Sequence, residues 1–147
     1  MKTIVIYFSA ETGKTRKIAE ELAQKHNADL FEIKPETPYS AADLKWTNPL
    51  ARCNREKIGK KDVPVNGKVE NWESYDTVYL GFPIWYYAAP NVVNTFCKGY
   101  DWNGKTIRIF ATSGSSGIGK TAEKLEPYVK GAKIADAKRV TSASEIE

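Results

Sequence analysis

The chain has 147 residues, of which 41% are hydrophobic and 27% charged, enough apolar material for one core and one domain over residues 1–147 without a linker. Its longest apolar runs, Thr3 to Phe8 and Thr77 to Phe82, fall far short of the ~20 residues of a membrane span, and the opening MKTIVIYF lacks a signal peptide's apolar run and cleavage site, so the expectation is a cytoplasmic protein away from the membrane. The formal charge is +4, but lysines lie spread beside glutamates, as in KTRKIAEEL and GKTAEKLE, which reads as a solvated surface more than a nucleic-acid stripe, so no nucleic-acid partner is expected.

Strand and helix signals then alternate almost from end to end, the pattern of parallel βαβ units. Lys2 to Phe8 reads as a buried strand, and about Gly13 to His26 as a helix with Ile18, Ala19, Leu22 and Ala23 on one face. Leu30 to Ile33 is a second strand. From Lys34 to Glu70 the periodicity dissolves into prolines, lysines and asparagines, with a short helical piece near Ser40 to Trp46; so long an excursion in a compact domain implies a functional or covering role. Thr77 to Phe82 is a β-rich central strand, and a helix from about Pro90 to Gly99 follows, its proline suited to the first turn. Thr106 to Ala111 is the fourth strand, Lys120 to Val129 a helix, and Lys138 to Val140 the fifth strand; Ser142 and Glu145 then have the spacing of a helix N-terminus.

Cys53 and Cys97 stand in unrelated contexts without metal-site or CxxC spacing, so both read as reduced structural thiols, and no metal ligand set is visible. The lone histidine, His26, reads as an exposed helix-end residue. One local basic excess, Arg52 to Asp62, is either a plain exposed loop or a surface for an acidic partner.

In a parallel sheet the loops after strands one, three and four gather on the carboxyl edge, where open α/β sheets bind ligands. The first, Ser9, Ala10, Glu11, Thr12, Gly13, Lys14 and Thr15, places hydroxyls and a glycine before a helix whose unpaired amides favour an anion; a helix cap and a phosphate site are equally good readings of it. It is no nucleotide P-loop, because the required first glycine would fall at Phe8. The second loop, from Gly81 to Pro90, includes Pro83, Ile84, Trp85, Tyr86, Tyr87 and Ala88, and three consecutive aromatics cannot all face a core. They either offer flat faces to a planar ring ligand or cover an apolar patch or dimer interface. The third, Thr112, Ser113, Gly114, Ser115, Ser116, Gly117, Ile118 and Gly119, offers amides and hydroxyls to a polar heterocycle edge. Its GxGxxA spacing follows the wrong strand for a dinucleotide fold, and Ile118 occupies the glycine position that a hydrolase elbow needs.

Taken together, IVIYFSAETGKTRKIAEELA, YDTVYLGFPIWYYAAPNVVNTF and GKTIRIFATSGSSGIG resemble the flavodoxin family, specifically its short flavodoxin-like branch with a long segment after the second strand, over nearly the whole chain. The resemblance implies an α/β three-layer sandwich with a five-stranded parallel sheet of order 2-1-3-4-5. It also implies noncovalent FMN, with the phosphate in the loop Ser9 to Thr15 and the isoalloxazine between the Trp85 region and the Ser113 to Ile118 region, and no catalytic acid, base or nucleophile. Two departures stand out. The phosphate loop carries one extra residue between Ser9 and Thr12, and Lys14 where asparagine is typical. Tyr87 and Ala88 replace a glycine whose peptide flips toward the reduced flavin, and a positive φ costs a non-glycine residue about 1 kcal/mol or more.

The function so implied is electron transfer by a diffusible carrier that docks redox partner proteins; with charge +4 the partner would be acidic and the association weakened by salt. Two alternatives stand beside it: an FMN-dependent NAD(P)H quinone-type reductase, an oxidoreductase proper, and a flavin-free interaction module. A phospho-receiver shares the topology but needs acidic residues where this chain has Ser9, Ala10 and Glu11, and an aspartate where it has Gly81, Phe82 and Pro83.

Overall fold

The computed structural model describes residues 2–8, 14–35, 65–66, 69–83, 91–112, 123 and 125–140. In chain order the elements are β1 (Lys2–Tyr7), α1 (Lys14–His26), β2 (Asp29–Glu32), β3 (Lys34–Pro35), β4 (Val65–Asn66), β5 (Tyr75–Pro83), α2 (Asn91–Lys98), β6 (Thr106–Thr112) and β7 (Lys133–Arg139). Five of the strands form one sheet in the order β2-β1-β5-β6-β7, and every pair in it is parallel. With the small antiparallel pair β3 and β4 set aside, this is the 2-1-3-4-5 order that the sequence implied.

Strand alternation sorts the apolar residues onto two faces. Ile4, Ile6, Val78, Leu80, Phe82, Ile107 and Ile109 face Val92, Val93, Phe96 and Cys97 of α2. On the opposite face Val5, Tyr7, Tyr79 and Phe110 meet Ile18, Ala19, Leu22 and Ala23 of α1. Helix, sheet and helix therefore stack as three layers, with the two cores separated by the sheet.

The excursion after β2 starts and ends in contact with itself, since Lys34 pairs with Asn66 and Pro35 with Val65. The short helical piece near Ser40 to Trp46, the basic run Arg52 to Asp62 with Cys53, and the capping pair Ser142 and Glu145 lie outside the described residues.

Two strand boundaries differ from the sequence reading by more than one residue, and one cause explains both. The fifth strand of the sheet spans Lys133–Arg139 and not Lys138 to Val140, and the third starts at Tyr75 and not at Thr77. Along β7, Ile107 pairs with Ile134 while Arg108 pairs with Asp136, so Ala135 is an extra residue; along β5, Lys2 pairs with Tyr75 and Thr3 with Thr77, so Asp76 is another. Each bulge shifts the alternation by one, which places Ile134 with Ala137, and Tyr75 with Val78, on one face at a spacing of three. A search for period two misses such a strand. In the stretch expected as a helix from Lys120 to Val129, Glu123 and Leu125 are helical, and the chain then tightens into a 3-10 turn at Glu126–Tyr128 around Pro127.

At the amino edge of the sheet, Trp72 packs edge-on against Trp102, with centroids 4.8 Å apart, and donates its indole N–H to the Asp101 carbonyl at 2.7 Å. Lys105 is buried here, against the expectation that the lysines are solvated. Its Nζ donates to the carbonyl of Trp72 at 3.0 Å and to that of Tyr75, and lies 4.6 Å from the Trp72 ring centroid. His26 also departs from the exposed residue expected: it is half-buried at the end of α1, stacked on Tyr79 with centroids 5.1 Å apart, and its Nε2 is buried without a hydrogen-bond partner. Cys97 is a buried free thiol, and burial raises its pKa.

Candidate functional site

The carboxyl ends of the three central strands lie abreast. Tyr7 of β1 pairs with Gly81 of β5, Gly81 pairs with Phe110 of β6, and Pro83 pairs with Thr112. The Phe8 amide extends the alignment by donating to the Gly81 carbonyl at 2.9 Å. The chain therefore leaves β1, β5 and β6 along one rim of the sheet, as the parallel topology requires.

The start of α1 turns toward the same rim. Thr15, in its first turn, is 2% exposed, and its Oγ1 lies 2.8 Å from Oγ1 of Thr112, the last residue of β6, itself 7% exposed. This hydroxyl pair joins the entry of the helix to the exit of a strand 97 residues away. The first turn carries no acidic residue, although acids are the usual partners of a helix's positive end. It reads Lys14, Thr15, Arg16, Lys17 instead, with Arg16 and Lys17 exposed. The first-turn amides, which have no partner within the helix itself, the helix dipole and these cations add in sign, which is the electrostatics of an anion site.

Gly81 shapes the rim from within the sheet. A Cβ there would lie closer than 3.0 Å to three ring carbons of Phe110, so the ring lies across the glycine. Tyr7 ends β1 beside α1; burial is the main cause of its raised pKa, followed by the Glu32 carboxylate, to which its hydroxyl also donates. Arg16 pairs with Glu20 at 3.5 Å among exposed side chains, and exposed Lys34 pairs with half-buried Glu32 at 4.0 Å.

Of the site residues expected from sequence, the structure brings Thr15, Thr112 and Pro83 together and places Lys14 as the first residue of α1. Ser9, Ala10, Glu11, Thr12 and Gly13 of the first loop, Ile84, Trp85, Tyr86, Tyr87 and Ala88 of the second, and Ser113, Gly114, Ser115, Gly117 and Ile118 of the third lie outside the described residues. Sequence reasoning missed Arg16 and Lys17, whose signal was cations where a helix start prefers acids. It also missed the Gly81 and Phe110 contact, signalled by a glycine inside an apolar strand.

The flavodoxin family profile matches residues 2–146. The chain belongs to the flavodoxin family. Among solved structures, this flavodoxin-family chain is similar to a candidate flavoprotein of Bacteroides eggerthii, at 38% identity over 99% of this chain and 92% of that one, with a TM-score of 0.88. A candidate flavoprotein of Bacteroides uniformis is 36% identical over 98% of this chain and 94% of that one, with a TM-score of 0.87. A flavoprotein of Lactobacillus acidophilus, solved in complex with FMN, shares the fold at 22% identity and a TM-score of 0.76, over 99% of this chain and 95% of that one. A comparison with curated protein sequences finds no match.

Proposed function

We propose that this chain binds FMN noncovalently and serves as an electron carrier between redox partner proteins in the cytoplasm. The observation that carries the reading is the buried contact of Thr15 with Thr112, which ties a cation-rich helix start to the exit of a central strand at the sheet's ligand-binding rim. The donor set fits a phosphate monoester: hydroxyl, first-turn amides and cations, with no carboxylate in the first turn. Membership of the flavodoxin family and the FMN complex of the related Lactobacillus flavoprotein support the same ligand. In this reading Ser9 to Thr15 hold the phosphate, while Pro83 to Ala88 and Thr112 to Ile118 flank the ring.

FMN, when bound, supplies the one- and two-electron chemistry. The protein's residues bind and orient it: α1 compensates the phosphate charge, and the aromatic loop excludes water from one face of the ring. A chain of net charge +4 is steered toward an acidic partner, so electron transfer should slow as salt rises. A rate independent of salt would count against that partner class.

The test is the visible spectrum of the purified protein before and after FMN is added. Flavin bands, with FMN released by acid, are the expected result; a colourless protein that takes up no FMN refutes the reading. Rapid oxidation of NADH or NADPH by the flavin-loaded protein alone would make it a reductase instead of a carrier.

A further inference from the structure

Resting on the reading of the α1 start as the phosphate site, we propose that Thr112 is a positioning residue that acts through Thr15, donating its hydroxyl proton to Thr15 Oγ1 so that Thr15 donates to the phosphate, and thereby favouring phosphorylated flavin over riboflavin.

Two hydroxyls 2.8 Å apart hold two protons between them, and one proton fills the bond. The other leaves from whichever oxygen is the acceptor. A phosphate dianion only accepts, so an anion at the helix start fixes the order as Thr112 to Thr15 to phosphate. Without the anion either order serves. The pair therefore distinguishes ligands by whether they bring an acceptor to the Thr15 side.

Threonine in a helix divides between χ1 states according to what its hydroxyl can bond. Thr15 lies in the first turn, whose amides have no partner within the helix and would attract its oxygen. Those amides are the donors an anion needs. Thr112, fixed at the end of β6 by its place opposite Pro83, draws the oxygen away from them and toward the rim. A valine at position 112 keeps the shape and removes the bond, leaving Thr15 to turn back on its helix and compete with the phosphate.

The experiment titrates FMN and riboflavin into the full chain stripped of flavin, followed by quenching of flavin fluorescence. For Thr112→Val the expected result is an FMN Kd raised about ten-fold, the scale of one hydrogen bond to a charged acceptor, with the riboflavin Kd changed less than about two-fold. Thr112→Ser should restore FMN affinity to within about two-fold of the wild type, since it returns the donor. In a Thr15→Val background, Thr112→Val should leave the ratio of the two affinities unchanged. Equal weakening toward both flavins, an unchanged FMN Kd, or a further change of the ratio without Thr15 each overturns the proposal. If Thr112→Val fails to fold, Thr112→Ala is read by the same ratio. A wild-type chain that binds no FMN refutes the site reading itself, and that result appears before any variant is made.

Discussion

The distal edge of the Phe110 ring lies over Gly81, occupying the space where a side chain on β5 would begin. Both residues are buried on the α1 face of the sheet, two positions before Pro83 and Thr112 end their strands. Gly81→Ala must push the ring toward α1. Overpacking of this kind costs about 1–3 kcal/mol. Urea denaturation should show that loss, and Phe110→Leu in the same chain should recover part of it by clearing the space. An alanine variant as stable as the wild type would show that the ring moves freely.

His26 links stability to mild acid. Burial is the main cause of its lowered pKa, and Lys25 of α1 and Arg108 of β6 add to it. The unfolded chain, with an ordinary histidine near 6.5, takes up a proton that the folded chain refuses. Stability is then full above about pH 7 and falls as pH drops through 6.5 toward the lower folded value. His26→Phe keeps the stack on Tyr79 without the proton, so its urea midpoint should vary less with pH between 7.5 and about 5.5 than that of the wild type.

Tyr75 gives the opposite sign in alkali. Its hydroxyl donates to Asp29 of the edge strand β2, and this bond, with burial and the Asp29 charge behind it, pushes its pKa up to about 12. Above pH 10 the unfolded tyrosine loses its proton while the folded one keeps it, so this contribution is complete below pH 10 and lost as pH rises toward 12. Tyr75→Phe should flatten the fall in stability over that window. Phenolate absorbance should show one tyrosine fewer titrating late.

Lys105 holds the amino edge through backbone oxygens. In Lys105→Met the Trp72 carbonyl keeps a donor, the Tyr75 amide, but the Tyr75 carbonyl loses the Nζ bond inside a buried site. The expected cost is about 1–3 kcal/mol, measured by chemical denaturation. FMN affinity should be unchanged, because the lysine lies at the opposite end of β6 from Thr112. A loss of affinity without loss of stability would contradict that separation.

What could be read from sequence followed from how local each signal is. Lys2–Tyr7 and Thr106–Thr112 are continuous β-rich runs, and α1 shows its apolar stripe at Ile18, Ala19, Leu22 and Ala23, so these elements were legible to within a residue or two. Lys133–Arg139 was not, because the bulge at Ala135 breaks its period and an edge strand, paired on one side, is built largely of charged and small residues. Lys105 reads as surface because nothing in a lysine codon announces two carbonyls waiting in the fold. The loop segments 9–13, 84–90 and 113–122, read from sequence as hydroxyls and glycine before a helix, consecutive aromatics and a glycine and serine stretch, lie outside the described residues. The joining of Thr15 to Thr112 was not legible, since two isolated threonines carry no mark of each other until the parallel sheet sets their elements side by side.

The placement of the Trp72, Trp102 and Lys105 cluster has an engineering consequence. Interlocking tryptophans and a lysine clamped to main-chain oxygens gather at the rim remote from the proposed cofactor, along with the tyrosine tie to β2. With the cofactor at the proposed site, folding and ligand choice fall to opposite ends of the same strands. Transplanting the segments after β1, β5 and β6 from a relative of different redox potential, with this fastening left intact, amounts to changing the instrument without rebuilding its frame.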